Sequence, residues 1–342
     1  MRTVRLCVLL LATMALNLCA RAEDPAPAPA APQAYALIVA GDGGDPNFTE
    51  NYRDWCVRLH KLLTTGCGIP AANVRLLMEK PDLIPQVVNA VSDKENILKA
   101  FTELNARVKP GDQFTVVFIG HGMAQDSTAR LSIPGPDLTS DETADLLNKI
   151  KTKDVIFINT IASSAAFLEK CSAPGRIVIS ATSSAGEGNE TYFTEFFLRA
   201  YENGDTAKLA SQSLLTAFNT AATECPKWYL RQYYDIKAHT WRTEGKQSRE
   251  LWKKFYGKLA DKKMADPLDA NAEDADPKLG EWGEQWANRR MPTEHAQLDD
   301  NGDKLGTGVF VSNQFTPLTG SEEGADGFLA RKVVLGKPAG AK

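Results

Sequence analysis

His121 stands between two glycines at the end of the apolar run FTVVFI, and an imidazole held there can act as a base, a proton donor or a ligand. Ser163 and Ser164 follow a second apolar run, DVIFINT, and bring hydroxyls that become nucleophiles only if a base is aimed at them. A serine in a first helical turn is more often an N-cap. Asp42 lies in the glycine-rich loop GDGG, where it either lines a pocket or shapes the turn. That loop invites a phosphate-binding reading, but neither dinucleotide-type nor P-loop glycine spacing is present.

Asp299, Asn301 and Asp303 place side-chain oxygens at alternating positions, as the start of a calcium loop does. The pattern then fails, because Lys304 replaces the expected glycine and Phe310 stands where the closing acid should be. The segment therefore reads as an Asx-rich surface turn, with a calcium-like metal site through Asp299, Asn301 and Asp303 as the alternative. No other metal ligand set and no cofactor is indicated. His60, His239 and His295 have no comparable setting and read as structural or surface groups.

The elements that must position these residues form a repeating pattern. Tyr35 to Ala40, Asn73 to Met78, Gln113 to Ile119, Asp154 to Thr160 and Arg176 to Ala181 are short, continuous apolar runs, the signature of strands buried on both faces. Between them lie stretches with helical spacing: Glu50 to Thr65, a segment opened by a Ser92/Glu95 capping box and running through Val108, Ser140 to Ile150, and Ser163 to Cys171. Such alternation predicts an α/β fold, a doubly wound and mostly parallel sheet flanked by helices. Ligands of such sheets sit outside the carboxyl ends of the strands. Those ends present Asp42, His121, position 161 and the loop Ser183 to Asn189, within which Ser183 and Glu187 are candidate binding groups.

The ends of the chain read differently. The first residues, MRTVR, run into an apolar stretch that ends in Ala20-Arg21-Ala22, the pattern of a secretory signal over residues 1–22 cleaved after Ala22. A lipid anchor through Cys19 is a lesser alternative. Residues 23–33, rich in Pro and Ala, read as an extended spacer, and no later apolar run is long enough to span a bilayer. The mature chain is thus expected to be secreted or periplasmic. Removing Arg2, Arg5 and Arg21 takes the formal charge from −4 to −7, and this acidic balance argues against nucleic acid. Cys56, Cys67, Cys171 and Cys225 remain in an oxidising compartment, either paired or as buried thiols.

After residues 34–204 the alternation fades, and 205–342 reads as a helical and irregular C-terminal extension. It begins with a helical stretch from Thr206 to Tyr234. A Trp and Tyr cluster from Trp228 to Trp252 suggests packing against the sheet or an aromatic partner surface. The segment 261–284 reads as an exposed loop, and the tail from Gly336 as disordered.

The strand ending in His121-Gly122 resembles the His-Gly end of the legumain and caspase-type cysteine peptidases. The strand VIFINTIASSA resembles the one that carries their nucleophile, usually E-A-C-E-S-G. Gly68-Ile69-Pro70 with Val74, and the later ISATSS, also run in the family order, so the resemblance covers roughly Tyr35 to Tyr201. It implies a caspase-like fold in which a histidine favours a thiolate on the adjacent strand end. Aligned on that motif, Ile161 falls at the cysteine and Asn159 where legumain has an acid that helps bind substrate. An aliphatic side chain cannot attack a carbonyl. The resemblance therefore implies a pseudopeptidase that binds a peptide or protein segment, with His121 retained and Asp42, Asn159, Ser183 and Glu187 lining the cleft. A hydrolase using His121 with Ser163 or Ser164 is the second reading, and a structural envelope module the third. A cysteine introduced at 161 is expected to become an activated thiol beside His121.

Overall fold

A computed structural model describes residues 31–125, 128–202, 211–244, 294–312 and 314–339, with side chains in the long helix that begins at Leu214 described as far as Leu230. The expected signal sequence, most of the spacer and the 261–284 loop lie outside the described residues.

The apolar runs form strands β1 (Ala34–Ala40), β2 (Val74–Met78), β3 (Ala90–Val91), β4 (Gln113–Ile119), β8 (Asp154–Asn159) and β9 (Arg176–Ser180), all mutually parallel in the order β9-β8-β4-β1-β2-β3. A small antiparallel sheet, β5 (Gly122–Gln125), β6 (Thr128–Leu131) and β7 (Leu138–Thr139), follows β4 directly. β1 and β4 are neighbours, yet the chain leaves β1 toward one edge and β4 toward the other. Their carboxyl ends therefore frame the switch point, where an open α/β sheet offers a crevice.

Alternate strand residues feed two cores. Ala36, Ile38, Val117, Ile158 and Ile179 face helices α1 (Pro46–Lys61), α5 (Phe193–Glu202) and α6 (Leu214–Glu244). Leu37, Val39, Phe114, Phe118, Phe157 and Val178 face α2 (Lys94–Arg107), α3 (Ser140–Asn148) and α4 (Ala165–Cys171). Burial on both faces is why these strands read as continuous apolar runs rather than alternating ones.

Several boundaries differ from the sequence reading. Asp93, not Ser92, caps α2, its carboxylate accepting from the Asn96 amide at 2.8 Å, while Ser92 is fully buried one position earlier. Thr139 and Glu142 form the capping box of α3. The C-terminal region is not a separate extension of helix and irregular chain. It returns to the main sheet as β10 (Gln297–Asp299) and β11 (Thr307–Gly308), antiparallel to β9 and to each other. A short hairpin, β12 (Phe310–Val311) with β13 (Gln314–Phe315), follows. Gly336 to Ala339, read as disordered, is instead fastened to the sheet: the Gly336 amide donates to Gln113 Oε1 at 2.7 Å and the Ala339 amide to Asp154 at 3.3 Å. Trp228 packs on Tyr192 and Tyr229, each with ring centroids 4.9 Å apart, which is helix packing for this part of the aromatic cluster.

The four cysteines Cys56, Cys67, Cys171 and Cys225 are all buried and unpaired. Burial pushes the Cys56, Cys67 and Cys171 thiols up to about 12, so none is a thiolate near neutral pH.

Candidate functional site

The switch point is built from two turns that only glycine serves well. Gly120, in the left-handed region at φ 142°, turns the chain off β4 so that His121 leaves the sheet. The loop after β1 is tied down by the Gly41 amide on Ile119 O (2.8 Å), the Asp42 amide on Ser132 O (2.9 Å) and the Gly43 amide on Glu79 Oε2 (3.2 Å).

His121 has an acceptor at each ring nitrogen. Nε2 meets the Gly43 carbonyl at 3.0 Å, and Nδ1 lies 2.6 Å from Glu190 Oε2. The second contact is a charge pair rather than an aligned hydrogen bond, since Oε2 has no well-directed donor. A carbonyl can only accept, so Nε2 carries a proton, and the carboxylate favours a proton on Nδ1 as well. The contact with Glu190 raises the His121 pKa above its ordinary value. Burial opposes this, while the charges of Glu190 and Asp42 and the Gly43 carbonyl add to it. Glu190 is held in turn by the buried Tyr52 hydroxyl, which donates to Oε1. Phe48 and Tyr52 set their rings edge-on to the imidazole, at centroid distances of 4.9 and 5.7 Å. Acceptors at both ring nitrogens and a raised pKa favour the protonated ring, which is poorly suited to take a proton from a nucleophile.

Phe118 and Asn159 are register partners in adjacent strands, so His121 and Ile161 follow neighbouring strand ends. Their side chains nevertheless serve different layers. Ile161 is 0 % exposed and joins the core beneath α2 to α4 with Phe118, Leu131 and Phe167, whereas His121 sits among residues of α1. A Cβ on Gly122 would lie 2.8 Å from Ile161 Cδ1, so the aliphatic chain is lodged directly under the residue after the histidine. This corrects the expectation of an activated thiol at position 161: a cysteine there would be buried against apolar neighbours, which raises a thiol pKa.

The hydroxyls are committed elsewhere. Ser163, 1 % exposed and at φ 55°, donates its Oγ to Ala185 O at 2.9 Å. Ser164 Oγ accepts from the Ala181 and Thr182 amides at 3.0 and 3.1 Å, tying the start of α4 to the end of β9. Neither is a partner of His121 among the described residues.

Of the proposed cleft residues, Asp42 shapes its turn by accepting from the Gly44 amide at 2.8 Å and also adds charge near His121. Asn159 is fully buried; its Oδ1 accepts from the Ile161 amide at 3.4 Å, and its Nδ2 has no partner among the described residues. Ser183 and Glu187 bond each other, the Ser183 amide and hydroxyl donating to Glu187 at 2.7 and 3.2 Å.

Two participants escaped the sequence reading. Glu190 lies one residue past the loop singled out after β9. His295, read as a surface or structural group, places Nδ1 2.5 Å from Glu187 Oε1 and stacks flat on Phe310, with ring planes 2° apart. Its arrival follows from topology, because β10 runs antiparallel to β9 and so begins at the edge where the parallel strands end. Burial works to raise the Glu187 pKa, but the His295 partner and the Ser183 donors outweigh it and hold the carboxyl below the usual range.

Asp299 accepts from the Gly302 and Lys304 amides at 2.8 and 2.9 Å, Asn301 from the Asp303 amide and Asp303 from the Leu305 amide, each at 2.8 Å. The oxygens proposed for calcium thus fold their own turn. Among the described residues no group of His, Cys, Asp or Glu is arranged to hold a metal ion, and no helix is long and apolar enough to cross a membrane.

No family model matches the chain, and no curated protein matches it. Among solved structures, a protein from Geobacter sulfurreducens is similar with a TM-score of 0.39 at 15% identity, over 57% of this chain and 90% of that one. The Drosophila initiator caspase Dronc is similar with a TM-score of 0.38 at 11% identity, over 56% of this chain and 72% of that one. Likeness at this level identifies neither a family nor an activity.

Proposed function

We propose that this chain is an exported pseudopeptidase of the legumain and caspase type, whose cleft binds a peptide or protein segment and does not cleave it. The reading rests on the resemblance around His121-Gly122 and positions 159 to 164, together with one observation. At the end of β8 the nucleophile position is filled by a fully buried isoleucine, while both ring nitrogens of the neighbouring histidine face acceptors, Gly43 O and Glu190. A peptidase needs a nucleophile and a base within reach of it, and neither Ser163 nor Ser164 is hydrogen-bonded to His121 among the described residues. What the site retains is a group of polar side chains, His121 with its raised pKa beside Glu190 and Asp42, which suits recognition of polar peptide groups once Glu190 gives way better than it suits covalent chemistry.

The serine hydrolase reading loses ground because Ser163 and Ser164 are bound to Ala185 and to the end of β9. The structural-module reading gains some from the burial of Ile161 and is separated from binding by a direct assay. Titration of the mature protein with a peptide library, read by fluorescence of the aromatic residues near the cleft, should give saturable binding that His121→Ala weakens. Absence of any saturable signal would favour the structural module. Export follows from the leader reading, and fractionation of the native host with detection of a mature N-terminus at Glu23 tests it.

A further inference from the structure

The loop that follows β9, residues 183–190, is fixed at two points by acids that reach in opposite directions. Glu187 reaches to His295 at the start of β10, and Glu190 reaches to His121 at the end of β4. The loop lies over Ser163. The Ser163 amide donates to Glu187 O at 2.8 Å, its hydroxyl donates to Ala185 O at 2.9 Å, and a Cβ on Gly188 would stand 3.9 Å from the same hydroxyl.

These contacts have the character of a bound ligand. A strand end beside a crevice leaves backbone donors that must be satisfied by something, and here a turn of the same chain, closed by the Glu187 amide on Ser184 O, supplies the acceptors. The loop's outer surface is exposed at Ser183 to Gly186 and again at Gly188 and Asn189, so it is a thin cover and not part of either core.

We infer that residues 183–190 are an intramolecular strap occupying the cleft at the end of β8, latched by the Glu187–His295 and Glu190–His121 pairs, and that an external peptide gains the Ser163 edge only by displacing it. This deepens the peptide-cleft reading and rests on it for the meaning of the cleft. The strap's release is read without any ligand, so the two claims fail separately. A strap that releases in a chain that binds no peptide leaves the latch standing and removes the cleft's purpose. Binding with an immobile strap does the reverse.

The His295 latch is the one to cut, because His295 lies outside both cores and outside the His121 clamp. Ser163→Cys places an alkylatable thiol under the strap, while Cys56, Cys67, Cys171 and Cys225 are buried. Modification at position 163, followed by peptide mass spectrometry, should be slow in the latched chain and at least about tenfold faster when His295→Ala is added, as expected for loss of a half-buried charged hydrogen bond. Hydrogen exchange of the Ser163 amide, in chains keeping the serine, gives an independent reading. It should accelerate similarly with His295→Ala while the amides of β4 and β8 keep their protection. Unchanged rates at 163 by both measurements would overturn the proposal. So would an acceleration shared equally by β4 and β8, which would mean general loosening.

Discussion

Ile161 Cδ1 occupies space that any side chain at residue 122 would need: a Cβ built on Gly122 falls 2.8 Å from that atom and 2.3 Å from Ala162 O. The glycine after the histidine is therefore fixed by what lies beneath it. Ile161 is a packing element joining β4, β5 and β8.

Gly122→Ala is accordingly expected to destabilise the protein by about 2 kcal/mol through overpacking. Adding Ile161→Ala should not restore stability, because the Ala162 carbonyl still obstructs and a cavity is added. Urea denaturation of the two variants checks this. A Gly122→Ala midpoint equal to that of the parent would show that the contact is looser than described.

The His121–Glu190 pair has a definite pH signature. His121 has a raised pKa in the folded chain, so its contribution to stability is fully present below the unfolded value of about 6.5 and disappears as pH rises through the folded value. Glu190→Gln replaces the carboxylate whose contact leads this shift and removes its charge as well, and the His121 titration followed by NMR should then move to lower pH. Titration at the same pH in both proteins would mean that the Gly43 carbonyl alone sets the protonation state.

How much of this could be read beforehand depends on where each group comes from. β1, β4, β8 and β9 announce themselves because burial on both faces makes them uninterrupted apolar runs, and His121, Asp42 and position 161 follow from their ends. β10 and β11 are too short for any periodicity to appear, and the acids flanking them pulled the segment toward a surface turn. His295 was hidden for that reason, since its role depends on an antiparallel strand added more than a hundred residues after its partner Glu187. The misplaced cap of α2 has a simpler cause. Ser92 and Asp93 are both good capping residues, and only burial of the serine decides between them.

Glu294, next to His295, is buried and accepts from the Tyr192 and Phe193 amides, Tyr229 Oη and Cys225 Sγ. Burial raises its pKa to about 7, against the pull of these donors. For an acid with a raised folded pKa the sign is reversed from the usual case: stability falls as pH climbs from the unfolded value of about 4.3 toward 7, then levels. Glu294→Gln should remove this slope, on the order of 3 kcal/mol over the interval. Denaturation midpoints across pH 4 to 8 that keep the same slope in the variant would assign it to another group.

Calcium is expected to leave the melting temperature unchanged, because Asp299, Asn301 and Asp303 already accept backbone amides. Asp299→Ala should instead cost about 2 kcal/mol by stranding the Gly302 and Lys304 donors. A calcium-dependent rise of several degrees that vanishes with Asp303→Ala would establish the metal reading.

The central claim is that the cleft binds without cutting. Its most direct test is a hydrolysis screen of the mature protein against a diverse peptide library, run in parallel with His121→Ala and Ser163→Ala. The expected result is no turnover above background that either substitution removes. Cleavage at defined sites, abolished by His121→Ala or by Ser163→Ala, would contradict binding without cutting and support the hydrolase reading.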